Sequence, residues 1–199
     1  MPKLGMEPIR RAALVRATID EIGAKGSLSV TVAQIARRAG VSSALAHHYF
    51  GAKDRIFLAA MRHLLTVYGA EVRGALAMAR GPRARSEALI RASFAQSNFR
   101  PEAVAAWLNF YSLARTDPEA ARLLRVYHRR LQSNLRHELA PLVGPRARDA
   151  AERIAGLIDG LYLRQGLASG DGATQRRADP DAAEAVRLVL TALDMEIAR

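Results

Sequence analysis

The sequence predicts an all-α protein of about nine helices: an N-terminal three-helix domain carrying a helix-turn-helix, then a larger helical domain. Three observations predict it. Apolar residues recur at i, i+3 and i+4 through most of the 199 residues, which is the period of a helix face. Ala, Leu and Arg dominate, while runs of Val, Ile and Thr are short; this balance favours helix over sheet. Capping residues and Gly or Pro breaks divide the pattern into helix-length segments.

The first helix starts near Pro8, shows an apolar band at Leu14, Val15, Thr18, Ile19 and Ile22, and ends near Gly26. The second runs from Val32 to about Arg38 and stops at Gly40. The third is short, Ser43 to Tyr49. A long fourth follows Lys53 and reaches about Arg80, where Gly81-Pro82 breaks the chain. A fifth begins near Ser86. It is interrupted at Asn98-Phe99-Arg100-Pro101, because the residue before a proline avoids the helical region. A sixth covers about Glu102 to Arg115. Asp117 as N-cap and Pro118 in the first turn open the seventh, to about Leu139. Pro141 to Pro145 reads as a loop, and Arg148 to Ser169 as the eighth helix. After a polar stretch to Ala178, Asp179-Pro180 opens the last by the same cap logic. The domains expected are 1–53 for the helix-turn-helix, with about 54–80 as a connecting helix, and 81–199 for ligand binding and dimerisation.

Composition narrows the chemistry. Half the residues are apolar, enough for a buried core, and there is no cysteine. Disulfides and thiolate metal sites are therefore excluded, and a reducing cytoplasm suits the chain. No signal peptide and no membrane-length apolar run is read. The net charge is +11, a sign that fits a polyanionic partner. Arginines solvated over the whole surface explain it equally well, since Arg83, Arg85, Arg146, Arg148, Arg176 and Arg177 lie outside the N-terminal region.

Residues 31–53, TVAQIARRAGVSSALAHHYFGAK, carry most information. Thr31 and Gln34 form a capping box that fixes where the second helix starts. Ile35, Ala36 and Ala39 point inward, Gly40 allows a tight turn, and Val41 plugs the two helices. Ser42 caps the third helix. Ala44 and Leu45 are expected on its small inner side, leaving Ser43, His47 and His48 outward. Such a helix can enter a major groove without clashing, and Ser43 and His47 would reach base edges. Thr31, Ser42, Tyr49 and Lys53 would hold phosphates beside helix N-termini. Ala44 completes the candidate DNA-contacting set. A plain helical hairpin is the alternative. A His47–His48 metal pair is disfavoured, because adjacent helix positions do not face each other.

This stretch resembles the DNA-binding region of the TetR family of repressors, over residues 9 to 60, with caps, turn and the His48-Tyr49-Phe50 exit to Lys53 in register. Further stretches resemble the choline-responsive branch of that family: Ile9-Arg10-Arg11, Ala106-Trp107-Leu108, residues 129–135 (RRLQSNL) and residues 157–164 (LIDGLYLR). The resemblance implies a homodimeric repressor bound to double-stranded operator DNA. It also implies control of genes that turn choline into glycine betaine, and release by choline. No catalytic residue, metal or other cofactor is implied.

A quaternary ammonium cannot donate a hydrogen bond, so it needs aromatic faces and a carboxylate. Trp107, Phe110 and Tyr111 lie at i, i+3 and i+4 on the sixth helix. Asp159 interrupts an apolar run three residues before Tyr162, and Asn98-Phe99 adds an amide and a ring. These seven are the candidate ligand residues, with Trp107, Tyr111, Asp159 and Tyr162 as a cation cage. Core packing of the rings and an ion pair from Asp159 to Arg164 or Arg115 are the alternatives. For dimerisation, Ala182, Val186, Val189, Leu190, Leu193 and Ile197 on the last helix and Ala151, Ile154, Ile158 and Leu161 on the eighth are expected to build a four-helix bundle. No phosphate loop, His-Glu-x-x-His or nucleophile elbow marks an enzyme. No helix sets Trp or Phe against a basic face as a membrane-surface binder would. A repressor answering a drug cation or an acyl compound remains open.

Overall fold

The computed structural model describes residues 5–168 and 181–199. Among them lie nine α-helices and no strand. They are α1 (Met6–Lys25), α2 (Val32–Arg38), α3 (Ser43–Phe50), α4 (Lys53–Met78), α5 (Pro82–Ser93), α6 (Pro101–Leu113), α7 (Pro118–Val143), α8 (Ala147–Ala168) and α9 (Ala182–Ala198). No helix of the described residues is long and apolar enough to cross a membrane.

The helices α1 to α3 close around Leu14, Ile19, Ile22, Ile35, Ala36 and Ala46, all buried. Each boundary has a local cause. Gly26 adopts the left-handed conformation and donates its N–H to the Ile22 carbonyl, ending α1. Thr31 and Gln34 exchange the two hydrogen bonds of the capping box. Gly40 turns the chain at φ 67°, and the Val41 N–H returns to the Ala36 carbonyl at 3.0 Å.

The remaining helices form the larger body. α7 lies along α8 and α5, α6 packs on α8, and α9 covers α8 and α5. α6 also lies along α1. The contact is close: a Cβ on Gly23 would stand 2.6 Å from Cα of Glu102. The first domain is therefore seated directly on the helix carrying Trp107 and Tyr111, as well as joined through α4.

Several expected boundaries move. α5 begins at Pro82, since Gly81 makes the turn and proline tolerates the first helical position. Ser86 is its buried first full turn, with its hydroxyl donated to the Pro82 carbonyl. Residues 141–143 are helical where a loop was expected. Pro141 is exposed and forfeits one hydrogen bond, while buried Leu139 and Val143 anchor the turn around it. α9 is capped by Asp181, whose carboxylate accepts the Glu184 N–H; Asp179-Pro180 lies outside the described residues. On α8, Ala151, Ile154, Ile158 and Leu161 are buried inside the subunit. Ala185, Val189 and Leu193 of α9 are buried likewise, and Val186 and Leu190 border a groove beside Arg91 of α5. The buried part of each stripe packs within its own subunit, while Ala182, Val186, Leu190 and Ile197 of α9 stay half-buried at its surface.

Ion pairs brace this body. The Arg85 fork holds buried Glu138 at 2.8 Å through both arms and also reaches the Leu76 carbonyl in the last turn of α4. Arg153 holds buried Glu196 of α9 in the same way. That guanidinium keeps the Glu196 carboxyl below the ordinary carboxylate range, although burial opposes it. Unfolding restores the ordinary value. The pair therefore stabilises the fold above the ordinary pKa, and this is lost as pH falls through the lower folded value. Glu196→Gln is expected to lower the melting temperature near pH 7, and by less as the pH falls below the ordinary carboxylate range. An equal loss across that range would contradict this account.

Candidate DNA-reading helix and aromatic cage

The helix α3 is only eight residues long. Its single fully buried residue is Ala46, packed in the three-helix core. Ala44 is exposed and Leu45 half-buried, so the inner side is set by Ala46 and not by Ala44. His47 and His48 are exposed, and Ser43 is half-buried at the first turn. Solvent thus meets a surface of one methyl group, a hydroxyl and two imidazoles. His47 is not free to swing, since its Nδ1 lies 2.9 Å from the Gly51 carbonyl. The Ser42 and Thr31 hydroxyls are spent on caps, accepting from the Leu45 and Gln34 N–H groups at 3.2 Å.

The exit from α3 is pinned from α1. Arg11 donates to the Tyr49 carbonyl at 2.7 Å and lays its guanidinium over the Phe50 ring. Lys53 opens α4, with its ammonium over the Phe57 ring. A cation in a first helical turn opposes the helix dipole. Its place becomes favourable once an anion docks there. Arg11 was missed from sequence because nothing in its local pattern marks a partner 38 residues away.

In the larger domain the structure gathers a cluster around Asp159. Its Oδ1 accepts from the Tyr111 hydroxyl at 3.1 Å and the Tyr127 hydroxyl at 3.0 Å, and its Oδ2 lies 3.3 Å from Nε2 of His128. No Arg or Lys pairs with it among the described residues, so neither Arg115 nor Arg164 is its partner. Rings enclose the carboxylate. Trp107 stands 5.0 Å from Tyr127 and 6.3 Å from Tyr111, and His128 stacks on Tyr111 at 6.2 Å. Tyr68 of α4 meets Tyr127 edge-on at 5.5 Å. Burial, reinforced by the Asp159 charge, raises the Tyr111 and Tyr127 phenols well above their ordinary range. Both stay protonated and donate.

The other candidates divide. Tyr162 joins a second ring group with Phe94 and Phe99, and its hydroxyl is donated to the Ser93 carbonyl. It makes no hydrogen bond to Asp159. Phe110 is fully buried and makes none of these ring contacts, so it is core. Asn98 is buried and donates to the Ala92 carbonyl, while its Oδ1 has no partner. The Tyr68 hydroxyl is also buried without one. Tyr68, Tyr127 and His128 were not read from sequence. Their one signal is that Tyr127 continues the buried spacing of Leu131 and Leu135.

What the arrangement can do is limited and definite. A half-buried carboxylate with no Arg or Lys partner among the described residues, walled by electron-rich ring faces, attracts a cation that needs no hydrogen bonds. Nothing in it activates a nucleophile.

Two family models match separate stretches of the chain. Residues 14–60 match the family model described as bacterial regulatory proteins, tetR family. Residues 82–198 match the BetI-type transcriptional repressor C-terminal model. The HTH-type transcriptional regulator BetI of Brucella suis biovar 1 is 49% identical over 190 residues, covering 95% of this chain and 92% of that protein. Its counterpart in Rhizobium meliloti is 53% identical over 176 residues, covering 85% and 84%. A transcriptional regulator from Saccharomonospora viridis, solved in complex with choline, superposes with a TM-score of 0.77 at 18% identity, over 94% of this chain and 97% of that one.

Proposed function

Because the chain belongs to the TetR family of bacterial regulators and carries a BetI-type repressor C-terminal domain, we propose that it is a homodimeric repressor of choline-to-glycine-betaine genes, lifted from its operator by choline. The observation that carries the effector assignment is the Asp159 carboxylate held by Tyr111 and Tyr127 between aromatic rings. In this reading the trimethylammonium head rests against Trp107, Tyr111 and Tyr127, beside Asp159. The Tyr68 hydroxyl, whose ring meets Tyr127 edge-on, offers a donor for the alcohol. The choline bound to the Saccharomonospora viridis protein of the same fold supports the choice.

Operator reading rests on α3. Ala44 and His47 would face base edges with Ser43 beside them, while the N–H groups at the starts of α2 and α3, Tyr49 and Lys53 hold phosphates. Pairing of two subunits places two such helices one helical turn apart, as a palindrome needs. Among the described residues, the large apolar side chains exposed on α8 and α9 are Leu163, Leu167 and Met195. Exposed Gly156 and Gly160, with nothing near their Cβ positions, let a partner helix approach closely. These are the residues we assign to the interface.

Ligand must favour one spacing of the readers over another, since equal affinity for both states shifts nothing. Two routes join cage to reader. Tyr68 sits on α4. α6 carries Trp107 and Tyr111 and touches α1 at Gly23, with the Asn109 amide donated to the Gly26 carbonyl at 3.3 Å.

The test is recovery of genomic fragments by the purified protein, with and without choline, followed by gel shifts on the recovered sites. Choline is expected to release them. His47→Ala is expected to weaken operator binding about tenfold with choline binding unchanged. Trp107, the single tryptophan, reports the cage directly through its fluorescence. Choline that tightens the complex would reverse the sign. Release by a drug cation or an acyl compound but not by choline would reassign the effector.

A further inference from the structure

We propose that the effector site has a second, anion-binding compartment, so that its effector class includes zwitterions joining a trimethylammonium group to a carboxylate or phosphate. This rests on the cage reading above and extends it. Tyr68 and Tyr127, which belong to the aromatic cluster around Asp159, also line a cavity of about 320 Å³ between α4 and α7. Its exposed rim carries Arg73 and Arg130, with Asn134 beside them.

Neither guanidinium has an ion-pair or hydrogen-bond partner among the described residues, unlike Arg62, Arg85 and Arg153, which are each bound to a glutamate. Arg73 folds back along α4 rather than outward. A Cβ on Gly69 would stand 3.2 Å from its Nη1, so the missing side chain at 69 makes room for the guanidinium beside the cavity. Tyr68 supplies the second sign. It is buried, lines the same cavity, and its hydroxyl has no partner. Burial pushes this phenol up to about 12, against the opposing Ser93 hydroxyl beside it, so it stays protonated and able to donate.

The charges decide the ligand class. Asp159 draws a cation. Two guanidiniums with no partner among the described residues, at the rim of the cavity that Tyr68 and Tyr127 also line, repel a ligand that is only a cation and attract one whose far end is anionic. A carboxylate or phosphate there would pair with Arg73 and Arg130. The arginines between α7 and α8 (Arg129, Arg136, Arg148) border a cavity too, but that one shares no wall with the aromatic cluster.

The experiment uses the full chain and the fluorescence of Trp107, backed by calorimetry. Choline, trimethylglycine, trimethylammonium butyrate and phosphocholine are titrated in turn, the series varying both the anion and its distance from the cation. At least one zwitterion is expected to bind more tightly than choline. Arg73→Met and Arg130→Met are each expected to weaken that zwitterion about tenfold, and to leave choline unchanged or slightly tighter. Gly69→Ala, which displaces the Arg73 guanidinium without removing it, is expected to act in the same direction in a fully folded protein. If choline binds but every zwitterion is weaker, or if the arginine variants change all ligands alike, the second compartment is wrong and the cage stands. If the wild-type protein binds no trimethylammonium compound, the cage and this extension fall together.

Discussion

Asp159→Asn is expected to lower the affinity for choline about 30- to 100-fold, equivalent to about 2–3 kcal/mol, with fold and unliganded operator affinity retained. The amide oxygen can still accept from Tyr111 and Tyr127, whose hydroxyls now meet Asp159 Oδ1 at 3.1 and 3.0 Å. The ring positions therefore stay as they are. What disappears is the full negative charge. A quaternary ammonium makes no hydrogen bond to compensate, so the loss falls on binding alone. Asp159→Leu is the contrasting variant. It strands two buried phenol donors, at about 1–3 kcal/mol each, and is expected to lower the melting temperature as well. Trp107 fluorescence titrations measure the first effect, and gel shifts its consequence: the Asp159→Asn repressor stays on its operator at choline concentrations that release the parent. Undiminished choline affinity in that variant would remove Asp159 from the effector site, and the cage with it.

Local signals made much of this fold legible from the residues. A capping box acts over three positions, and a glycine turn over one. So the Thr31–Gln34 start of α2, the Gly40 turn and the Asp117 cap of α7 were readable. Long-range choices were not. An apolar stripe on α8 reports that one face is buried, but not whether it meets its own subunit or a partner. Ile154 and Ile158 turn out to meet the former. On a helix an error of two positions reverses a face, and it put Ala44 inside when Ala46 holds that place. Half of the aromatic cage was legible because Trp107 and Tyr111 sit four apart on one helix. The other half comes from α7, where Tyr127 and His128 lie among arginines and read as part of a charged helix. Only the meeting of α7 with α8 brings them to Asp159. Pro141 shows the same limit in reverse: a breaker by local rule, it is overruled by the burial of Leu139 and Val143 on either side.

Gly23→Val is expected to separate operator binding from choline sensing. The glycine stands where α1 meets the start of α6, and an added Cβ would lie 2.6 Å from both Cα and Cβ of Glu102. Backbone cannot yield there as a flexible side-chain tip would, so the two helices must part. Overpacking of this kind costs about 1–3 kcal/mol. At roughly 2–4 °C per kcal/mol for a chain of this size, the melting temperature is expected to fall by roughly 2–12 °C. Replacing a helical glycine also restores about 0.5–1 kcal/mol of backbone entropy, so Gly23→Ala is expected to cost less than Gly23→Val. The functional consequence is larger than the stability loss. α6 carries two walls of the cage and meets the reading domain along α1, with Asn109 bridging to the Gly26 carbonyl. A wedge at Gly23 leaves the cage itself whole, because Trp107 and Tyr111 lie one and two turns further along α6. Choline affinity without DNA is therefore expected to hold, while the factor by which choline weakens operator binding shrinks several-fold. Parallel fluorescence and gel-shift titrations on the same preparation separate the two quantities. A variant that melts lower yet responds to choline as the parent does would show that the signal travels through α4 alone.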